Sequence, residues 1–137
     1  MTASVGCSLQ QGIYQALAED PQVTGLLARA NIYGDAPQNA SFPYLTFGQT
    51  TERDWSTGAE DGSEHTVTLH VWSRAGGKKQ TNEIIDVIRD ALNAVPLTIA
   101  DHTLVKLKHE FSEARHDKDG ETYHGIVRYR AITEPLS

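Results

Sequence analysis

The chain has 137 residues, 39% hydrophobic and 22% charged, with two Trp, five Tyr and three Phe to anchor packing, which suits a single domain over 1–137. Twelve Lys and Arg against eighteen Asp and Glu give a formal charge of −6. The closest approaches to a basic cluster along the chain are Lys78-Lys79 and Lys106/Lys108, each beside acids, so DNA held tightly by phosphate neutralisation is not expected, although a channel that lets DNA slide past fits this charge.

No apolar run approaches the roughly 20 residues needed to span a bilayer. Met1 to Cys7 lacks the basic flank and apolar stretch of a secretory signal, so cytoplasmic folding without a membrane partner is expected. Cys7 stands alone, with no basic neighbour to activate its thiol and no second Cys for a disulfide or a zinc site.

Ser4 to Glu19 places Val5, Leu9, Ile13, Ala16 and Leu17 on one helical face. Asp20-Pro21 breaks the chain and restarts it, Asp20 as a cap and Pro21 in the first turn, and Val23, Leu26, Leu27 and Ala30 continue a short second helix. Asn31 to Pro43 reads as irregular, with a brief strand at Ile32-Tyr33. Tyr44 to Thr51 has the β-branched and aromatic content of a strand. A polar loop, Arg53 to Ser63, separates it from a second strand, His65 to Ser73, in which Val67, Leu69 and Val71 alternate with Thr66, Thr68 and His70. The two strands form a hairpin with an extended, mobile tip in this reading.

Ala75-Gly76-Gly77 ends that strand. A helix follows from about Lys79 to Asn93, with Ile84, Ile85, Ile88, Ala91, Leu92 and Val95 on one face, and Pro96 stops it. Leu104 to Arg115 places Val105, Leu107 and Phe111 on one side of a strand, Asp117 to Glu121 supplies a turn, and Tyr123 to Thr133 returns. The order helix, helix, hairpin, helix, hairpin predicts an α+β fold of two layers, a mostly antiparallel sheet with helices packed on one face.

Candidate chemistry is sparse. Of six histidines, none share the i, i+2 or i, i+4 spacing of zinc ligands; His65 and His70 point to opposite faces of one strand, and His116 and His124 could approach only across the last hairpin, without a third ligand. Ala75 to Thr81 lacks the first Gly and the Lys-Ser/Thr step of a phosphate loop, and Asp117-Lys118-Asp119-Gly120 has Arg128 where a calcium loop needs its last Glu. No Ser occupies a Gly-x-Ser-x-Gly elbow, Cys7 falls in the least ordered part of the chain, and Glu60-Asp61 sits on a solvated tip that cannot raise a carboxylate pKa. No catalytic, cofactor or metal site is expected.

Two stretches carry a resemblance. Ile32 to Gly48, a Pro-rich loop leading through Phe42-Pro43-Tyr44 into a long strand, and Val67-Thr68-Leu69-His70-Val71-Trp72-Ser73-Arg74, followed by a glycine turn and a helix ending in Ala91-Leu92, resemble the tail terminator, or tail-completion, proteins of long-tailed phages and gene transfer agents. The likeness covers nearly the whole chain. Pro37 and Pro43 restrict the loop, while Phe42, Tyr44 and Phe47 tie it to the sheet.

The resemblance implies a structural virion protein without enzymatic activity: a homohexameric ring at the head-proximal end of the tail tube that stops tube growth and offers a surface for head joining. Its implied partners are itself, the tail tube protein and the head-tail connector protein, with DNA passing through the centre. Ring closure requires heterologous contacts, for which edge strands and protruding hairpins are natural donors. The Glu52–Glu64 loop, acidic with only Arg53 opposing, is expected to project toward the tube or lumen. Its Arg53, Asp54, Trp55, Glu60 and Asp61, together with Trp72 on the face opposite Val67, Leu69 and Val71, are the expected interaction residues. A head-tail connector or neck subunit, and a small ligand-binding α+β domain, are the competing readings.

Overall fold

The structure, a computed structural model, describes residues 4–27, 31–35, 37–75, 77–94 and 97–136. Ser4 opens helix α1 (Val5–Ala18) by accepting the Cys7 amide on its hydroxyl at 3.2 Å. Cys7 therefore belongs to the capped first turn of α1, not to loose chain, and is exposed there. Asp20 caps α2 (Pro21–Leu26), its Oδ1 accepting from the Gln22 and Val23 amides at 2.9 and 3.1 Å. Both helix starts follow the sequence expectation; Ala30, assigned to the second helix, lies outside the described residues.

The strands are β1 (Ile32–Tyr33), β2 (Tyr44–Asp54), β3 (Ser63–Ser73), β4 (His102–His116) and β5 (Tyr123–Pro135), with α3 (Gly77–Ala94) between β3 and β4. They form one five-stranded sheet in the order β1-β2-β3-β5-β4, antiparallel except for the short parallel pair β1–β2. This is the expected α+β fold. The seam between the two hairpins is β3 against β5, eleven residue pairs from Ser63↔Thr133 to Ser73↔Tyr123.

The core joins Leu9, Ile13 and Leu17 of α1, Val23 of α2 and Ile84, Ile85, Ile88 and Leu92 of α3 to Leu45, Val67, Leu69, Val71, Val127, Tyr129 and Ala131 of the sheet. Each fully buried Leu or Ile contributes about 2 kcal/mol by removal from water. Gly125 lets α3 come close: a Cβ there would lie 2.8 Å from Thr81 Cγ2 and 3.2 Å from Ile85 Cδ1. Ser73 and Thr81 hydroxyls bond at 2.6 Å across the same contact. Tyr129 is buried against this side, and burial pushes its phenol up to about 12.

Several sequence boundaries move. The strand from Tyr44 continues to Asp54 and its partner begins at Ser63, so Arg53, Asp54 and Ser63 are strand residues and the loop shrinks to 55–62. The third helix starts at Gly77, two residues before Lys79; Val95 and Pro96 lie outside the described residues. Val105, Leu107 and Phe111 do not share a face. Register shifts at Leu104/Lys106 and His109/Phe111 each insert one residue, which resets the two-residue alternation: Leu107 packs on the core side and Phe111 points away from it.

Candidate interaction surface

The alternation that buries Val67, Leu69 and Val71 sends Glu64, Thr66, Thr68, His70 and Trp72 to the other face of β3. Their antiparallel partners on β5 are Ile132, Arg130, Arg128, Ile126 and His124. Next to these on β4 stand Lys106, Lys108, Phe111, Glu113 and Arg115, and on β2 stand Arg53, Thr51, Thr46 and Tyr44. Arg53, Lys106, Lys108, Arg115, Arg128 and Arg130 therefore lie on one face: half of the chain's Lys and Arg, in a protein of charge −6. Glu64 and Glu113 accompany them in register, Glu134 follows Ile132 at the same parity on β5, and Glu110, in the second bulge of β4, lines a cleft with Arg128. The sequence reading, which sought basic runs along the chain, misses this cluster because it is assembled from three strands, β2, β4 and β5.

At one end of the face the loop 55–62 folds on itself. The Trp55 amide donates to the Gly62 carbonyl at 2.9 Å and the Thr57 amide to the Glu60 carbonyl at 2.8 Å. Asp54 Oδ1 accepts from the Ser56 amide and, at 2.6 Å, its hydroxyl, bonds that hold the Asp54 carboxyl below its ordinary pKa. Glu64 bridges Arg53, at 2.7 Å, and Arg130. The Arg130 guanidinium lies 5.0 Å over the Trp55 ring. The loop base is thereby fixed to the sheet, and Arg130 joins Arg53 in opposing its acids. Trp55 stays 45% exposed. It lines a cleft of about 240 Å³ with Glu60, Asp61, Val105, Ile132 and Glu134. Glu52, counted with the loop acids, lies elsewhere, paired with His65 and turned toward Gly6 of α1.

The opposite end is aromatic. Trp72 stacks on His124 with centroids 4.0 Å apart and planes 7° off parallel, and its Nε1 donates to Thr46 Oγ1 at 3.0 Å. His70 Nδ1 and His124 Nε2 share a hydrogen bond at 2.7 Å. Tyr44 continues the stack from Trp72, Phe42 packs on Tyr44, and Arg74 covers Phe42 at 4.1 Å. Burial, with the neighbouring His70 and Arg115, pushes His124 down to about 4, and burial with Arg115 lowers His70. The rings are neutral at pH 7, one donating and the other accepting.

Arg53, Asp54, Trp55, Glu60 and Asp61 thus come together, while Trp72 lies nine positions from Ser63 along β3, about 30 Å away at the usual strand rise. Trp72 is half-buried in its stack, whereas Trp55 is open. His124 pairs with His70 across β3–β5, not with His116, which stacks on Tyr123. Strand parity was the available signal: His70 and Trp72 alternate with the apolar residues, but their partners on β5 follow only from the register. Among the described residues, no three His, Cys, Asp or Glu side chains converge as a metal site.

The sequence profile of the family "Tail completion protein gp17" matches residues 11–134. Tail completion protein gp17 of Bacillus phage SPP1 is 28% identical over 108 residues, 77% of this chain and 78% of that protein. The fold is similar to a chain in the virion of a native gene transfer agent particle, with TM-score 0.85 and 23% identity over 97% of this chain and 99% of that one. It is also similar to the solved structure of bacteriophage SPP1 gp17, with TM-score 0.65 and 21% identity over 96% and 91% of the two chains. The profile spans the elements from α1 to β5, and the chain belongs to the tail completion protein gp17 family.

Proposed function

We propose that this protein forms a homohexameric ring that caps the head-proximal end of a tail tube, stops tube polymerisation and presents the surface to which the head-side connector joins. Family membership over residues 11–134 carries the reading. The fold's likeness, end to end, to a chain of a gene transfer agent virion supports it. The role is mechanical: the tail tube protein binds one side of the ring, the connector protein the other, and DNA passes through the centre without specific recognition. Assembly takes place in the cytoplasm and the protein ends in the virion tail. The 55–62 loop with Arg53, Asp54, Trp55, Glu60 and Asp61 is the protruding contact element of this reading. Trp72, held in its stack, shapes the far end of the same sheet face.

Electron microscopy of particles assembled with and without the protein tests the reading. Overlong or headless tails in its absence are the expected result. Tails of normal length joined to heads would overturn it. Labelling the protein along the particle separates a terminator, at the tube's end, from a connector or neck subunit above it.

A further inference from the structure

We propose that the basic sheet face is the seat of a second copy of this chain, whose 55–62 loop docks on it through Glu60 and Asp61; the proposal rests on the ring reading above and names its self-contact. Among the described residues, Lys106, Lys108, Arg115 and Arg128 have no carboxylate within 4.0 Å, while Arg53 and Arg130 are already held by Glu64. Lys106, Lys108 and Arg115 are exposed, and Phe111, 39% exposed beneath Arg128, gives the face an apolar centre. The unpaired charge runs along the adjacent strands β4 and β5, about 5 Å apart at ordinary strand spacing.

The complement is on the same molecule. Glu60 and Asp61 are exposed on a loop stiffened by its own hydrogen bonds and flanked by the open Trp55. A preformed acidic loop with an aromatic anchor loses little entropy on docking. A closed ring joins two different patches of the subunit, and here the two patches carry opposite charge. Among the described residues the face carries six cations against four acids, Glu64, Glu110, Glu113 and Glu134, so it is net positive in a chain of charge −6. The bulk of the surface therefore repels a phosphate backbone and favours contact with another copy's acidic side. Four free cations are also few for a duplex, whose affinity at cellular salt scales with the phosphates neutralised. The loop's partner is thus the neighbouring subunit, in place of the tube or lumen expected from sequence.

A charge swap tests this. Full-length wild type, K106E/K108E, E60K/D61K and the combined variant are supplied to producing cells lacking the protein, and each is first checked for an unchanged Tm. Each double variant is expected to lower the fraction of correctly terminated, head-joined tails about tenfold, and the combined variant to restore most of it, because the attraction is rebuilt with signs reversed. Independently, Lys108→Cys with Asp61→Cys in a Cys7→Ala background, treated with a short bismaleimide, is expected to yield covalent multimers in assembled particles. Unimpaired double variants, or a combined variant as defective as its parents with no multimers formed, would overturn the proposal. Loss of duplex DNA retention by K106E/K108E, unrescued by the swap, would overturn it in favour of a DNA-facing strip. The cross-link is read whether or not tails terminate normally, so failure of the ring contact and failure of the terminator role are distinguishable.

Discussion

Gly48 is where the sheet leaves least room. An added Cβ would lie 2.3 Å from His70 Nε2 and 2.6 Å from its Cδ2, beside the register shift between Phe47 and Thr50. The His70 ring cannot swing away freely. Its other nitrogen is bonded to His124 at 2.7 Å, and the ring sits in the stack with Trp72 and His124. Gly48→Ala therefore overpacks the site, about 1–3 kcal/mol, and in displacing the ring also breaks its histidine hydrogen bond, about 1 kcal/mol. The alanine recovers roughly 0.5 kcal/mol by restricting the unfolded chain. The net cost is about 2 kcal/mol, a fall in Tm on the order of 8 °C for a domain of this size. In a His70→Ala background the obstacle is gone, and Gly48→Ala should then cost less than about 0.5 kcal/mol, leaving a coupling near 2 kcal/mol. Urea denaturation of the four proteins at pH 7, followed by circular dichroism, measures it. An equal cost in both backgrounds would refute the account of why glycine stands at this position.

Gly125→Ala should lift α3 from the sheet, since the new Cβ meets Thr81 at 2.8 Å, Val71 at 3.1 Å and Ile85 at 3.2 Å. A loss of about 2–3 kcal/mol in urea, mostly appearing as faster unfolding if α3 docks late, is the expected result. Asp20→Ala removes both hydrogen bonds that start α2 and should cost about 1 kcal/mol in the same assay. Stability should also depend on pH through His124. Its imidazole titrates at 6.5 when unfolded and about 4 when folded, so between these values the unfolded chain binds more protons. The stabilisation is complete above pH 6.5 and is lost as pH falls toward 4, by at most about 3 kcal/mol. His70 and the buried His65, both also lowered, add in the same direction. A urea midpoint series from pH 7 to 4 checks this, and His124→Gln should flatten the slope.

The elements themselves were legible because each is written locally. The Asp20-Pro21 restart, the apolar stripe of α3 and the alternation of β3 need no information from distant residues. The stretches Ile32 to Gly48 and Val67 to Arg74, with the glycine turn and helix after them, pointed to the family that the profile identifies. The interaction surface was only half legible. Its loop is contiguous, so Arg53, Asp54, Trp55, Glu60 and Asp61 stood out together. The basic face is not contiguous: Lys106 and Lys108 meet Arg128 and Arg130 only through the β4–β5 register, and that register contains two shifts. The parity reading of Leu104 to Arg115 fails for the same reason, because each extra residue reverses inside and outside. The His70–His124 pair depends on β3 lying beside β5, a pairing of strands separated by a whole helix.

The sheet's edges bear on how such a subunit could end a polymer. At one edge β1 pairs only with Leu45 and Thr46 and leaves the rest of β2 open; at the other β4 is interrupted by two bulges and carries Lys106 and Lys108. Short strands, bulges and lysines are the features that discourage a further strand from pairing. Strand addition, the mode that edge strands suggest from sequence alone, is therefore disfavoured along β4. In the ring proposed above, copies meet through the sheet face and the hairpin loop, which differ in charge and so can join head to tail. An interface of that kind consumes both of its halves when the ring closes. Unlike an open edge, it leaves no backbone template on which further strands could grow, and in the proposed role that is the property a terminator requires.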